Sequence, residues 1–159
     1  MKTYVITLSQ VFPVTHKRAG DPTGFKDKLL KAIQKGFDSD VHPKVHTIRA
    51  NYELWKKRFD EINAGRACLC VRQWSGKPYQ SKQIEITRLT REDGIGIQKL
   101  KIYETEPYPF VYTDKSTIPV DRKELAINDG LSLEDWAEWF KGYDLSSSLA
   151  VIHFTSFRY

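Results

Sequence analysis

Between residues 67 and 112 the chain carries four closely spaced runs of strand-forming residues, at 67–74, 82–90, 95–103 and, more weakly, 110–112. Turn formers separate them at Ser75-Gly76, Glu92-Asp93-Gly94 and Glu106-Pro107-Tyr108-Pro109. Strands this short and this close can satisfy their backbone groups only by pairing with one another, as a meander or small barrel. Residues 3–9 alternate as a short strand with Tyr4, Ile6 and Leu8 on one face. From Phe25, apolar residues recur at Leu29, Leu30 and Ile33, which is helical spacing, with Gly36 as the stop and Lys26, Lys28, Lys31 and Lys35 outward.

A polar connector runs from Phe37 to Pro43, and the β-branched run 45–50 reads as a strand. Asn51 caps a helix to about Asn63, with Trp55, Phe59 and Ile62 inward and Gly65 closing it. Ser132 with Asp135 three residues on resembles a capping box, opening a helix with Leu133, Trp136, Ala137 and Phe140 inward. Residues 149–158 alternate but are apolar on both faces mid-run, which predicts a central strand. The class expected is α+β: a mixed, mostly antiparallel barrel with flanking helices. A chain of 159 residues is one domain, residues 1–159, able to bury roughly 70% of its unfolded surface.

Charge is distributed unevenly. Residues 1–101 carry 20 Lys and Arg against 10 Asp and Glu, whereas residues 102–159 carry 5 against 10, giving +10 and −5 within the net +5. A basic face of that kind attracts phosphate. Lysines that merely solvate helices explain the same count without a partner. Cys68 and Cys70 are two apart on a strand, on one face about 7 Å apart, too far for a local disulfide. Neither Cys-x-Cys nor the spacing of His42, His46 and His153 makes a zinc motif, and no P-loop or dinucleotide fingerprint appears, so neither metal nor cofactor is expected. Thiols in a reducing compartment, no signal-peptide core and no membrane-length apolar run predict a cytoplasmic protein.

The residues that can carry chemistry lie in Lys44-Val45-His46-Thr47-Ile48-Arg49. Thr47 and Arg49 are two apart, so on a strand they share a face. Lys44 is three before Thr47 and joins them only if it precedes the strand, which Pro43 favours. The turn Trp74-Ser75-Gly76-Lys77-Pro78-Tyr79 is a second candidate: Trp74 and Tyr79 can stack a base while Lys77 meets its phosphate. An ordinary hairpin with aromatics at the barrel mouth explains the same residues. His153, between Ile152 and Phe154, reads as a hydrogen-bonded, half-buried side chain rather than a general base.

Lys44, Thr47 and Arg49, followed by a helix, a glycine and a strand, resemble the ASCH family, the domain first defined in activating signal cointegrator homologues. The family motif is similar to Gly-x-Lys-x-x-Thr-x-Arg, and His42 stands here in place of its glycine. Asp129-Gly130-Leu131-Ser132, the helix with Trp136 and Phe140, and Val151-Ile152-His153-Phe154 resemble the family's last helix and strand. The resemblance covers about residues 37–159, leaving residues 1–36 as an N-terminal strand, loop and helix elaboration.

It implies a PUA-like small β-barrel and binding of RNA or a nucleotide; the ligand-binding candidates read from the residues themselves are Arg49, suited to a phosphate or base edge, and Trp74, Lys77 and Tyr79. It also implies an alternative: a small amidohydrolase acting on a modified pyrimidine nucleoside such as N4-acetylcytidine. On that alternative the catalytic set carries over onto Lys44, Thr47 and Asp129, the last an aspartate where that enzyme type has a glutamate. A third reading, an adaptor docking an unknown protein through exposed aromatics, needs neither.

Overall fold

The computed structural model describes residues 1–34 and 40–159. In chain order the elements are β1 (Lys2–Leu8), α1 (Phe25–Ile33), β2 (His46–Arg49), α2 (Tyr52–Asn63), β3 (Ala67–Trp74) and β4 (Gln83–Leu89). A 3-10 turn (Arg91–Asp93) precedes β5 (Gly96–Lys101), β6 (Phe110–Tyr112), β7 (Thr117–Pro119), α3 (Arg122–Asn128), α4 (Leu133–Phe140) and β8 (Leu149–His153). The class is mixed α+β, with eight strands in two sheets and four α-helices among the described residues. The Gly36 stop, Lys35 and the start of the connector at Phe37 lie outside the described residues.

One sheet has the order β1-β3-β4, with β1 parallel to β3 from Lys2 opposite Ala67 to Leu8 opposite Gln73. The other has the order β2-β8-β5-β6-β7, antiparallel throughout. The ladders do not close into one barrel. Glu92-Asp93-Gly94, expected to turn a hairpin, instead leads the chain from one sheet to the other. Thr90 and Asp93 cap the 3-10 turn reciprocally, and Gly94 at φ 77° exits it in a left-handed conformation that favours glycine. β5 therefore pairs with β8 and β6, not with β4.

β8 lies between β2 and β5 and all five of its residues are buried, which explains why its sequence is apolar on both faces. The ladder ends at His153, short of the expected Arg158, although Phe154 N still donates to Val45 O at 2.9 Å. On α2, Asn51 accepts from Leu54 N, and Trp55, Phe59 and Ile62 are buried. On α4 the inward face differs from expectation: Asp135, Trp136 and Phe140 are buried, whereas Leu133 is 41% exposed and Ala137 is exposed. Asp135 turns inward because the loop between β1 and α1 supplies it with partners: Arg18 Nη1 donates to its carboxylate at 2.5 Å and His16 Nε2 lies 3.1 Å from its carbonyl.

This packing makes two residues of opposite expected cost. Phe59→Ala should lower unfolding free energy by about 3–5 kcal/mol, the range for an aromatic removed from a filled core. Leu133→Ala should stay within about 0.5 kcal/mol. Urea denaturation of both variants measures the difference, and equal losses would contradict the orientation of α4.

Candidate functional site

β2 begins at His46, so Lys44 lies in the lead-in after Pro43, as convergence requires. Two flanking helices fix that lead-in: Lys44 N donates to Lys28 O and Val45 N to Asn128 O, each at 2.9 Å. The Lys44 side chain is only 1% exposed. Its Nζ donates to Asp129 Oδ1 at 2.7 Å and to Asp129 O at 2.5 Å, and sits 4.2 Å from the centroid of the Phe25 ring. Gly130 follows at φ 86°, and a Cβ there would stand 3.3 Å from Cβ, Cγ and Cδ of Lys44. The lysine stem thus packs against a position that favours glycine on both counts.

Burial pushes the Lys44 ammonium below its ordinary range, and Arg49 and Lys28 add to this against the pull of Asp129. Burial pushes the Asp129 carboxyl up, opposed by Lys44, Arg49 and the indole N–H of Trp136. The two proton affinities therefore approach each other. Burial thus acts on both partners in the direction of their neutral forms, and their contact acts against it.

Thr47 and Arg49 line one cavity of about 260 Å³ together with Lys44 and Asp129, so the structure brings these four together. The Thr47 hydroxyl makes no hydrogen bond with any described residue. Arg49 Nη2 donates to Thr7 O at 2.8 Å, its Nε is buried without a partner, and no carboxylate among the described residues lies within ion-pair distance. Phe25, Trp139, Phe140 and Tyr143 also line it, Phe25 directly against Lys44. The lining combines polar side chains with aromatic rings. Its size falls below the roughly 300 Å³ at which small-molecule sites begin, which suits one planar ring system better than a larger ligand.

Trp74, Lys77 and Tyr79 do not line this cavity. Trp74 and Tyr79 stack at 5.1 Å between ring centroids, with Tyr79 89% exposed at φ 63°. Ser81 fastens the turn, its hydroxyl donating to Lys77 O at 2.8 Å and accepting from Gly76 N at 3.0 Å. The hairpin nevertheless begins at the cavity's end of the sheet, since Leu8, opposite Gln73, and Ser9 both line the cavity.

No protein-family model, curated protein or solved structure matches this chain. The site is therefore read from its own geometry. Among the described residues no group of three or more His, Cys, Asp and Glu side chains is placed to hold a metal ion. Cys68 and Cys70 are both free and buried.

Sequence reasoning did not find the groups behind Asp129. His46, on the opposite side of β2 from Thr47, places Nδ1 4.0 Å from Asp129 Oδ1. Asn128 Nδ2 donates to the Tyr159 hydroxyl at 3.0 Å, and the same hydroxyl is hydrogen-bonded to His46 Nε2 at 2.7 Å. His46 Nδ1 is itself buried without a hydrogen-bond partner among the described residues. Burial and the neighbouring His153 and Lys44 hold His46 well below its ordinary range, so it is neutral. His153, lowered to about 3 by burial, is neutral too, and its Nε2 lies 2.8 Å from Gln98 Oε1. The position of His46 inside the motif was the available signal; Tyr159 had none.

Lys44→Met removes the cation and leaves the Asp129 carboxylate buried, which should cost about 3–5 kcal/mol of stability. Lys44→Met with Asp129→Asn should recover more than half of it. Asp129 titrates above its unfolded value, so in the single variant its contribution is retained at low pH and lost as pH rises through the folded pKa. The single variant should therefore trail the wild type by more at about pH 8 than at about pH 5. Urea denaturation at both pH values checks this, and a pH-independent gap would contradict it.

Proposed function

We propose that this chain is an ASCH-like, PUA-related domain that binds RNA or a nucleotide by receiving one base in the Lys44–Arg49 cavity. On this reading the two sheets and their helices correspond to an open version of the PUA-like barrel. The observation that carries the proposal is the convergence of Lys44, Thr47, Arg49 and Asp129 on one cavity walled by aromatic rings. A base presents hydrogen-bonding edges and apolar faces, and this cavity offers the complement of both. Arg49 has donors to spare for a carbonyl edge or phosphate, and Thr47 can donate or accept. The charge of +10 carried by residues 1–101 supplies attraction for a phosphate chain.

Titrating cytidine, cytidine monophosphate and a short RNA against the fluorescence of Trp139 and its neighbours tests this. Arg49→Ala should weaken binding by about 10- to 100-fold, the scale of a hydrogen bond to a charged group. Lys57→Ala, on an exposed helix face, should change it by less than about threefold. RNA affinity should fall steeply with salt. Absence of binding by all three ligands would reject the proposal.

The contact between Lys44 Nζ and Asp129 Oδ1 favours a second reading, the amidohydrolase. Thr47 Oγ1 would attack the acyl carbonyl while its proton passes to the Lys44–Asp129 pair. The carbonyl oxygen would gain its negative charge beside Arg49. Collapse would return the proton to the departing amine nitrogen, and water would then hydrolyse the acyl-threonine ester. Lys44 makes its hydrogen bonds to Asp129 and none to Thr47, so ligand binding must draw the two together. N4-acetylcytidine converted to cytidine by the wild type and not by Thr47→Val would support this reading. Binding without conversion would reject it and leave the first intact.

A further inference from the structure

Behind the turn Asp129-Gly130-Leu131 lies a second and larger cavity, of about 490 Å³. Leu131 lines both cavities, while Gly130 and Lys28 line only the second. Its walls are mainly apolar, from Phe12, Ile127, Leu131 and Leu133, and its volume falls within the roughly 300–1,000 Å³ of small-molecule sites.

The charges in this lining are unbalanced. Asp135 is its one carboxylate among the described residues, and Arg18 already engages it at 2.5 Å. Lys28 is half-buried, and its Nζ donates to Gly130 O at 2.7 Å and to Thr23 O at 3.1 Å. An ammonium has three N–H groups, so one is left over after these two bonds among the described residues. No carboxylate among the described residues comes within ion-pair distance of Lys28 or of the exposed Lys123 on the rim.

We propose that this cavity is a binding site for a small amphipathic carboxylic acid, its apolar body against Ile127, Leu131 and Leu133 and its carboxylate between Lys28 and Lys123. A carboxylate suits the site better than a phosphate. It is a monoanion with two oxygens for two ammonium groups, whereas a phosphate dianion costs more to bring into mainly apolar surroundings. Burial and the nearby Arg18 already lower the proton affinity of Lys28, and an anion beside it would relieve both effects.

The test uses 8-anilinonaphthalene-1-sulfonate, an apolar body with one anionic group, as a fluorescent reporter displaced by decanoate, decylamine or decanol. Decanoate should displace it at concentrations at least about fivefold lower than the other two, the scale of a screened charge contact. Lys123→Glu and Leu133→Asp alter exposed side chains, so the fold is retained. Each should weaken decanoate by about fivefold or more, through charge and through apolar contact respectively. Amide shift changes on adding decanoate should concentrate at Thr23, Gly130 and Leu133. Equal displacement by decylamine or decanol, undiminished affinity in both variants, or shifts concentrated at Thr47 and Ala50 would overturn the proposal.

Discussion

A buried ammonium against a buried carboxylate, Lys44 on Asp129, is the contact around which the rest of the site is arranged. Removing such charges from water costs several kcal/mol per ion, and mutual attraction offsets this only when the geometry is good and the remaining donors are satisfied. Lys44 meets that condition with two oxygens of one residue and the face of Phe25. The two residues stand 85 positions apart. The pair therefore fixes where the lead-in to β2 lies against the end of α3, and the Val45 N to Asn128 O hydrogen bond repeats that constraint in the backbone. Its effect is positional: it holds an ammonium and a carboxylate in the wall of the cavity that Thr47 and Arg49 also line.

Part of this arrangement was legible in the sequence. Alternation alone puts Thr47 and Arg49 on one face, and Pro43 was reason to start the strand after Lys44. The place of Asp129 was not legible, because it caps the C-terminus of a seven-residue helix, two turns being too few for an apolar stripe to declare itself. β7 was missed for the same reason, being three residues long at a sheet edge with Pro119 in it. On α4 the periodicity was real but its phase was wrong by about one residue. Apolar pattern favoured Leu133, whereas the pairing of Asp135 with Arg18, 117 residues earlier, decided which face turned inward. Trp74, Lys77 and Tyr79 were chosen for their chemistry, and chain proximity did not place them in the cavity wall.

The loop between β1 and α1 supports the cavity's aromatic lining indirectly. Phe12 and Phe25 lie 5.6 and 5.7 Å from the Trp139 ring, and His16 packs on Phe12 at 4.5 Å between centroids. His16 and Arg18 tie the same loop to the start of α4 through Asp135. Trp139 thus owes its orientation to contacts on both sides, a condition that favours a rigid wall over a mobile one.

The histidines behind the site have an electrostatic consequence. A charged imidazole at His46 would stand 4.0 Å from Asp129 Oδ1 and compete with Lys44 for the same oxygen. Burial, with His153 edge-on at 5.7 Å between ring centroids, keeps that imidazole uncharged well below neutral pH. Asp129 accordingly faces full positive charge from Lys44 in contact and Arg49 further off, and none from His46. The field across the cavity then runs from Arg49 and Lys44 toward Asp129. A ligand that places an electron-rich atom near Arg49 and a proton donor near Asp129 is aligned by that field before any side chain moves, which is the preorganisation that makes fixed dipoles effective in a low-dielectric site.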